Sequence, residues 1–387
     1  MQVLPLDTVR TRIQIGVPLP FGVHDADRSP LLAAGQVIDD AGRLDELLEL
    51  GAVVDVAELE SVFGADDPLF SAARPPAADA IPIAALPQRW MECAERVSAA
   101  LSASAGERLA AIALAARNVE LLVDRSANLA MSQIVRQATA DAAHYGIIHA
   151  MNTAVAGLVA ARALGWSVDE QRRALHAGLT MNISMLGLQG QLARQVSALT
   201  VRQRQLIHEH PLRSAEMLEA AGVEDEQWLA AVREHHERPD GKGYPHGTQP
   251  STELAQLLRY ADIYTALMSE RATRPAMNAR DAAREVYALA DGSALCQALI
   301  KSFGVFPPGC FVRLASDEIG VVTGNGQEAH HPRVAVLARA DGQAQRTPQW
   351  RNTAEPRHRI VALLSESALP LRVGSAMLAC AIAGDPG

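Results

Sequence analysis

The chain has 387 residues, 49% hydrophobic and 20% charged, which suits a globular protein with a large core and two or three domains. Its formal net charge of -9 argues against general nucleic-acid binding, which depends on positive charge. Apolar runs are too short to cross a bilayer and the N-terminus lacks a signal-peptide pattern, so we expect a cytoplasmic protein without a membrane span.

Four segments follow one another along the chain. Residues 1–65 alternate short apolar runs with turn residues, which predicts a small β-rich N-terminal domain with a helix near Leu44–Leu50. Residues 66–88 are rich in Pro, Ala and Asp and predict a linker. Residues 89–303 show helical apolar spacing, and residues 304–387 return to β alternation as a C-terminal β subdomain and tail. The expected fold class is mainly α, a helical bundle flanked by two small β-containing units.

Two helices of the central segment have recognisable start signals. Glu170 follows Ser167, and Gln203 follows Thr200, at the spacing of a capping box that satisfies free amides of the first turn. Gly222 follows a helical stretch and is expected to end it in a left-handed conformation.

Histidine and aspartate residues of this helical region are candidate metal ligands. His235 and His236 are adjacent, His210 precedes a proline in a helical stretch, and Asp262 lies in the helical run LLRYADIYTALM. Imidazole and carboxylate are ligands that transition metals prefer, and helices of a bundle can bring them together. Spacing alone leaves a metal site and ordinary core or surface histidines equally open.

Other residues that suggest chemistry have simpler interpretations. The four cysteines are widely scattered and form no CxxC pair, which predicts reduced, buried thiols rather than disulfides or a zinc site. His330 and His331 lie among turn residues without a nearby ligand pattern, so we interpret them as surface histidines.

The string HHERPDGKGYP, from His235 to Pro245, matches the HD-GYP signature HHExxDGxGYP at every defined position. HPLRSAEMLEAAG resembles the family's HPxxGxxxL helix with Ser214 in place of glycine, and YADIYTALM resembles its ADxYDAL segment. The resemblance runs from His149 to Val336. It implies an HD-type helical bundle and a bacterial metal-dependent phosphohydrolase that cleaves cyclic di-GMP in signal transduction.

The resemblance also implies roles for individual residues. His210, His235 and His236 would hold one divalent metal of the iron or manganese type. His149 and Asp262 match ligands of the wider metal cluster. The substrate would meet a bordering loop and two phosphate-contacting arginines, namely Gly243, Tyr244, Pro245, Arg271 and Arg274.

The His-Asp pair for which the family is named is missing. The register that we prefer places Met181 and Asn182 on the pair, with Met185 in place of the family's lysine; a rival register uses His176-Ala177 but needs an insertion of five residues. In the family the aspartate bridges two metals, and a neutral asparagine is a poor bridging ligand. We therefore expect one ion rather than two.

The residue one helical turn before His149 also departs from the family. Tyr145 stands where some members place a glutamate that recruits a third metal, and the adjacent His144 lies on another helix face. The sequence therefore argues against a trinuclear site.

Three functions stay open at this point. The first is a divergent protein that binds cyclic di-GMP, a related nucleotide or a signalling protein with weak or no hydrolysis. The second is an active cyclic di-GMP phosphodiesterase, and the third is a purely structural protein-interaction module. The Ala-rich helical region after Arg89 is a candidate surface for homodimer formation.

Overall fold

The computed structural model describes most of the chain, namely residues 3–25, 29–64, 81–136, 144–290, 292–326, 328, 330–345 and 347–384. Residue contacts divide the chain into two units, 1–77 and 78–387. The predicted linker at 66–88 lies outside the described residues up to position 80. Its described end, 81–88, contains buried Ile81 and Leu86 of the second unit's core.

The first unit is a small α/β unit built on a four-stranded antiparallel sheet of order β1-β4-β2-β3. Its strands are β1 Val3–Pro5, β2 Val23–His24, β3 Pro30–Leu32 and β4 Val53–Asp55. Two helices accompany the sheet, α1 Ala41–Glu49 near the predicted position and α2 Val56–Phe63. A closed apolar core that includes Phe21, Ile38 and Leu47 holds the unit together.

The second unit is mainly helical. Its helices are α3 Leu86–Ser102, α4 Ala105–Arg125, α5 Ala127–Arg136, α6 Tyr145–Ala163, α7 Val168–Thr180, α8 Leu186–Arg194, α9 Val201–Glu219, α10 Glu226–Glu234, α11 Glu253–Met268, α12 Ala279–Leu289, α13 Ala294–Phe303 and α14 Ser375–Ala383. Short 3-10 helices lie at Leu6–Arg12 in the first unit, and at Ile83–Ala85, Ile183–Met185, Pro356–His358 and Glu366–Ala368 in the second.

Both predicted capping boxes are present. Ser167 and Glu170 cap α7, and Thr200 and Gln203 cap α9, each pair satisfying amides that a helix start leaves free. A capping side chain contributes about 1 kcal/mol, so these signals fix where two helices of the bundle begin. Gly222 follows α9 with a φ of +89°, as expected for a left-handed helix end.

Helix α6 is the centre of the bundle and is buried on most of its faces. It packs against α7, α8, α11 and α13. The contact with α7 depends on Gly178, because a Cβ at this position would lie 2.5 Å from Cα of Ala154. The close approach of α6 and α7 carries α6, with His149, to the same region as the end of α7, where Met181 and Asn182 follow.

A five-stranded antiparallel sheet of order β8-β7-β6-β5-β9 follows the helices. Its strands are β5 Phe311–Leu314, β6 Ile319–Gly324, β7 Arg333–Ala338, β8 Trp350–Asn352 and β9 Ile360–Leu364. Phe311, Val321 and Leu378 belong to the same apolar core as the helices. The predicted boundary at residue 304 therefore marks a change from helices to strands inside one compact unit, residues 78–387. The predicted mainly α fold with small β-containing terminal units is confirmed.

Two smaller expectations can be compared with the structure. All four cysteines are free thiols; Cys93 and Cys296 are buried as expected, whereas Cys310 is half-buried and Cys380 is exposed. Among the described residues, no helix combines the length and the apolar character that a membrane span requires.

Candidate metal centre

His210 and His235 are oriented by irregularities in their helices. His210 lies in α9 immediately before Pro211, which has no amide hydrogen and so leaves the carbonyl of Ile207 without its helical donor. The His210 ring donates from Nδ1 to this carbonyl at 2.6 Å. His235 ends α10, and its Nδ1 donates to the carbonyl of Val232 at 2.7 Å. Both rings therefore carry their proton on Nδ1, because a carbonyl oxygen only accepts.

The opposite nitrogens of these two rings face each other. Nε2 of His210 lies 3.2 Å from Nε2 of His235, and a ligand nitrogen of His236 completes a group whose members all lie within 4.8 Å. Burial lowers the pKa of His210 to about 3 and also lowers the pKa of both His235 and His236, so the rings stay neutral. Converging lone pairs on neutral rings repel unless a cation lies between them. The three nitrogens therefore fit one metal ion.

A second pair of ligand types lies on α6 and α11. Nε2 of His149 is 2.7 Å from Oδ1 of Asp262, and both side chains are buried. Burial raises the pKa of Asp262, but the hydrogen bond with His149 outweighs it, so the pKa of this carboxyl lies below its usual range. The carboxylate is therefore ionised and available to a cation.

Asn182, and not His176, shares a cavity with these ligands. The cavity, of about 180 Å³, is lined among others by His149, Asn182, His210 and Asp262. Met181 is completely buried in the hydrophobic core. His176 instead stacks on Trp228, with ring centroids 4.9 Å apart. Asn182 of the preferred register thus lies beside the candidate ligands, and His176 of the rival register lies elsewhere.

Two serines contact each other beside this site, and one of them, Ser214, stands where the family's HPxxGxxxL helix has a glycine. The hydroxyls of Ser184 and Ser214 are 2.9 Å apart, and Ser184 also donates to the carbonyl of His210 at 3.0 Å. The sequence gives no sign that the two serines meet, because thirty residues separate them. Their contact links the 3-10 turn after Asn182 to the helix that carries His210.

The environment of His176 predicts an acid-dependent loss of stability. Burial, with a smaller contribution from Arg172, lowers the pKa of His176 from 6.5 to about 4. Between pH 6.5 and about pH 4, His176 is protonated in the unfolded chain but stays neutral in the folded protein. The free energy of unfolding is therefore highest above pH 6.5 and decreases as the pH falls through this window. His176→Phe keeps the ring stack and is expected to remove about 1–3 kcal/mol of the difference in unfolding free energy between pH 7 and pH 4.

Urea denaturation of the metal-free protein at both pH values measures this difference. Metal content is the control, and His176→Phe is expected to leave it unchanged. An equal change of unfolding free energy with pH in variant and wild type would contradict the assignment of His176 to a desolvated position. A loss of metal in the variant would instead favour the rival register, in which His176 is a ligand.

The two arginines expected at the phosphate have different surroundings. Arg271 lines the cavity together with Tyr145, whose hydroxyl it contacts through Nε at 3.1 Å and Nη2 at 2.8 Å. Arg274 donates from Nη2 to the carbonyl of Ala266 at 2.7 Å and is not among the cavity residues. The structure therefore brings Arg271 to the site and ties Arg274 to the end of α11.

The GYP loop is held against the histidine pair by close packing. A Cβ on Gly243 would lie 2.5 Å from the Cα of Glu237 and from the carbonyl of His236, so this glycine serves backbone approach within the loop. Gly241 of the same loop has a positive φ of +68°, a backbone conformation that favours glycine. The ring of Tyr244 stacks on His236 at 4.5 Å between centroids and lines the cavity.

Glu237 has a role that spacing did not reveal. Its carboxylate is completely buried and accepts hydrogen bonds from the amides of His246 and Gly247, at 2.7 and 3.2 Å, and of Thr248, at 3.1 Å. It therefore fastens the segment after Pro245 and is no metal ligand in this arrangement. Only the fold reveals the amides that it meets, because they lie nine to eleven residues further along the chain.

The second histidine pair has a carboxylate neighbour that the sequence interpretation overlooked. Nε2 of His330 and Nδ1 of His331 each lie 3.1 Å from Oε2 of Glu328. Glu328 and His330 are more than 60% exposed. The prediction of surface histidines agrees with this exposure, although Glu328 places one carboxylate beside the pair.

Comparison with known proteins agrees with the geometry of the helical bundle. The family model described as HD domain matches residues 111–292, a range that contains the histidine cluster, His149, Asn182, Asp262 and Arg271. The resemblance to HD domains that the string HHERPDGKGYP carries is confirmed by this match over residues 111–292.

Two curated relatives are similar over part of their length. Cyclic di-GMP phosphodiesterase PA4108 of Pseudomonas aeruginosa is 29% identical over 216 residues, 54% of this chain and 51% of that protein. Cyclic di-GMP phosphodiesterase PdeB of Borreliella burgdorferi is 24% identical over 138 residues, 35% of this chain and 36% of that protein. The chain therefore spans about half the length of the first relative and about a third of the second.

Among solved structures, the HDG"Y"P protein Bd1817 from Bdellovibrio bacteriovorus has a TM-score of 0.47 and 14% identity, over 77% of this chain and 97% of that chain.

Proposed function

We propose that this protein binds cyclic di-GMP at the cavity between α6, α9 and α11 and hydrolyses it weakly or not at all. The observation that carries the proposal is the pair of facing Nε2 atoms of His210 and His235, 3.2 Å apart, in a cavity that Asn182 also lines. The first feature favours an ion that can bind phosphate, and the second removes the carboxylate that hydrolysis in this family uses. Two relatives named as cyclic di-GMP phosphodiesterases support the choice of ligand.

His210, His235 and His236 are the residues that would hold the ion, with a phosphate oxygen or water in the remaining positions. Three imidazoles suit iron, manganese or zinc, and an ion held by them can act as a Lewis acid on a phosphoryl oxygen. Arg271 supplies a second positive group at the same cavity. We therefore propose one ion and one arginine as the recognition elements for a phosphodiester.

The size of the cavity limits how much of the ligand enters. About 180 Å³ is below the 300–1,000 Å³ typical of pockets that enclose drug-sized molecules, so the cavity suits a phosphate with its ion rather than a whole dinucleotide. The nucleobases would lie outside, along the exposed surface around Tyr145 and the GYP loop. A homodimer and a signalling protein partner stay predictions from the sequence.

Weak hydrolysis follows from the missing charge at Asn182. A carboxylamide does not neutralise a second cation and does not orient a hydroxide between two ions as a bridging carboxylate does. Met185 contributes no charge to the cavity either, although it lines the wall. Binding groups are therefore retained in this chain while hydrolytic groups are reduced.

An active phosphodiesterase is the second candidate function. The observation that favours it is the retained pair of His149 and Asp262, whose ligand atoms are 2.7 Å apart in the same cavity. Metal quantification combined with binding and turnover assays separates the two candidates. We expect about one ion per chain, saturable binding of cyclic di-GMP, and product formation far below one turnover per minute.

Loss of a residue that supports a metal ligand typically reduces metal affinity by about 10–100-fold. His235→Ala is expected to reduce the affinity further, because it removes a direct ligand of the proposed ion. Binding of cyclic di-GMP should weaken in parallel, and added metal should no longer raise Tm. Elemental analysis, calorimetric titration and thermal melts measure the three effects.

His208→Ala is the matched control, because His208 lies on α9, stacks on Tyr244 with ring centroids 5.3 Å apart, and is outside the ligand group. It should keep the metal. Rapid hydrolysis by the wild type that disappears in His235→Ala would favour the active phosphodiesterase over the binding protein. Wild-type protein that binds neither metal nor cyclic di-GMP would refute both candidate functions.

A further inference from the structure

Tyr145 connects His149 to Arg271, the arginine that we propose to bind phosphate. It lies in the first turn of α6, one turn before His149, and the two rings stack with centroids 5.8 Å apart and planes inclined by 17°. Its hydroxyl accepts two hydrogen bonds from Arg271, from Nε and Nη2, and the guanidinium carbon is 5.4 Å from the ring centroid. Tyr145 therefore packs against His149 with a face of its ring and is bonded to Arg271 through its hydroxyl.

The two hydrogen bonds determine which edge of Arg271 stays available. A guanidinium has a side edge, formed by Nε and one Nη, and an end edge, formed by both Nη atoms, and each edge can bind an oxyanion in a bidentate manner. The hydroxyl of Tyr145 occupies the side edge. Within the described part of the chain, Nη1 of Arg271 makes no hydrogen bond, so the end edge is available at a cavity that Arg271 lines.

The acceptor at position 145 is neutral, and this matters for the strength of the site. A carboxylate at this position would form an ion pair with Arg271 and cancel much of its charge. A phenol orients the guanidinium without neutralising it, so the full positive charge remains for a ligand phosphate.

We propose that Tyr145 is a positioning residue that holds the side edge of Arg271 so that the end edge receives a phosphate of the ligand. The inference rests on the proposed function for the identity of the ligand, cyclic di-GMP. It assigns position 145 to anion recognition instead of metal recruitment.

A double-mutant cycle tests whether Tyr145 acts through Arg271. Tyr145→Phe keeps the ring and its stack on His149 and is expected to weaken cyclic di-GMP binding by about 5- to 20-fold, with unchanged metal content. Arg271→Ala should weaken binding at least as much, and the double variant should bind no more weakly than Arg271→Ala alone. Tyr287→Phe, on the exposed face of α12, is the matched control without effect.

Additive losses in the double variant, or wild-type affinity in Tyr145→Phe, would overturn the inference while leaving the proposed function intact. A second measurement does not need the ligand. In protein labelled with ¹⁵N-arginine, the Nε–H signal of Arg271, assigned by its loss in Arg271→Lys, should be visible in wild type and broadened by solvent exchange in Tyr145→Phe. An unchanged signal would also overturn the inference, whereas wild-type protein that fails to bind cyclic di-GMP would count against the proposed function.

Discussion

Asn182→Asp is expected to raise the metal content from one ion to two per chain and to increase hydrolysis of cyclic di-GMP by about 100-fold, equivalent to about 2.7 kcal/mol of activation free energy. Asn182 lines the cavity together with His210 of one ligand group and both members of the His149–Asp262 pair. A carboxylate there is within the same cavity as both sets of ligands, and aspartate has nearly the size of asparagine. The substitution therefore supplies charge without repacking the core.

The expected gain follows from electrostatics between the ions. Two unit charges 4 Å apart repel by about 4 kcal/mol at an effective dielectric constant of 20, and two divalent ions by about four times as much. One carboxylate between them offsets a large part of this repulsion, which an amide cannot do. Without metal, the same carboxylate would be buried beside Asp262, so the metal-free variant should be less stable than wild type and more strongly stabilised by added metal.

Gln189→Glu is the matched control for Asn182→Asp. Gln189 lines the same cavity and is similarly buried, so this variant adds an equal charge at a different place. Elemental analysis, product quantification and thermal melts with and without manganese or iron measure the outcome. A second ion or faster turnover in the control would attribute the gain to charge alone, and no gain in Asn182→Asp would refute the bridging position.

Sequence patterns within a few residues correctly predicted the helices of the bundle and the starts of two of them. Capping boxes placed the starts of α7 and α9, and helical periodicity covered the bundle, because these features depend on contacts within a few residues. Helix α14 was not anticipated in the C-terminal tail. Its apolar residues pack into the core of the bundle, and this long-range contact stabilises a helix that carries no side-chain cap.

The same distinction applies to the site. The resemblance carried by the motif around His235 pointed to candidate ligands, and the fold brings these residues to one region. The partners of Tyr145 could not be anticipated, since its hydroxyl meets an arginine 126 residues away. Residues that support the site form hydrogen bonds with the backbone or with distant side chains. Such contacts produce no recognisable spacing pattern in the sequence. The assignment of individual ligands and of Arg274 to the ligand site stays a prediction.

Glu237→Ala is expected to destabilise the protein by at least about 3 kcal/mol and to weaken metal and cyclic di-GMP binding together. Hydrogen bonds to a buried charged acceptor contribute about 1.5–3 kcal/mol each, and Glu237 accepts three from the amides of residues 246–248. Their loss would release the segment that follows Tyr244 and so disturb the ring that stacks on His236. Glu237→Gln should have an intermediate effect, because its NH₂ group would face an amide donor.

Glu234→Gln provides the comparison for this loop. Glu234 ends α10 one turn earlier and also fastens the loop, accepting from the amide of Ser251 at 2.6 Å, but in an exposed position. Exposed bonds contribute little, so this variant should lose less than about 1 kcal/mol and keep its ligand affinity. Urea denaturation and calorimetric titration measure both variants. Equal small losses in Glu234→Gln and Glu237→Ala would mean that the GYP loop is held by packing at Gly243, where no Cβ fits, and that the buried carboxylate contributes nothing of its own.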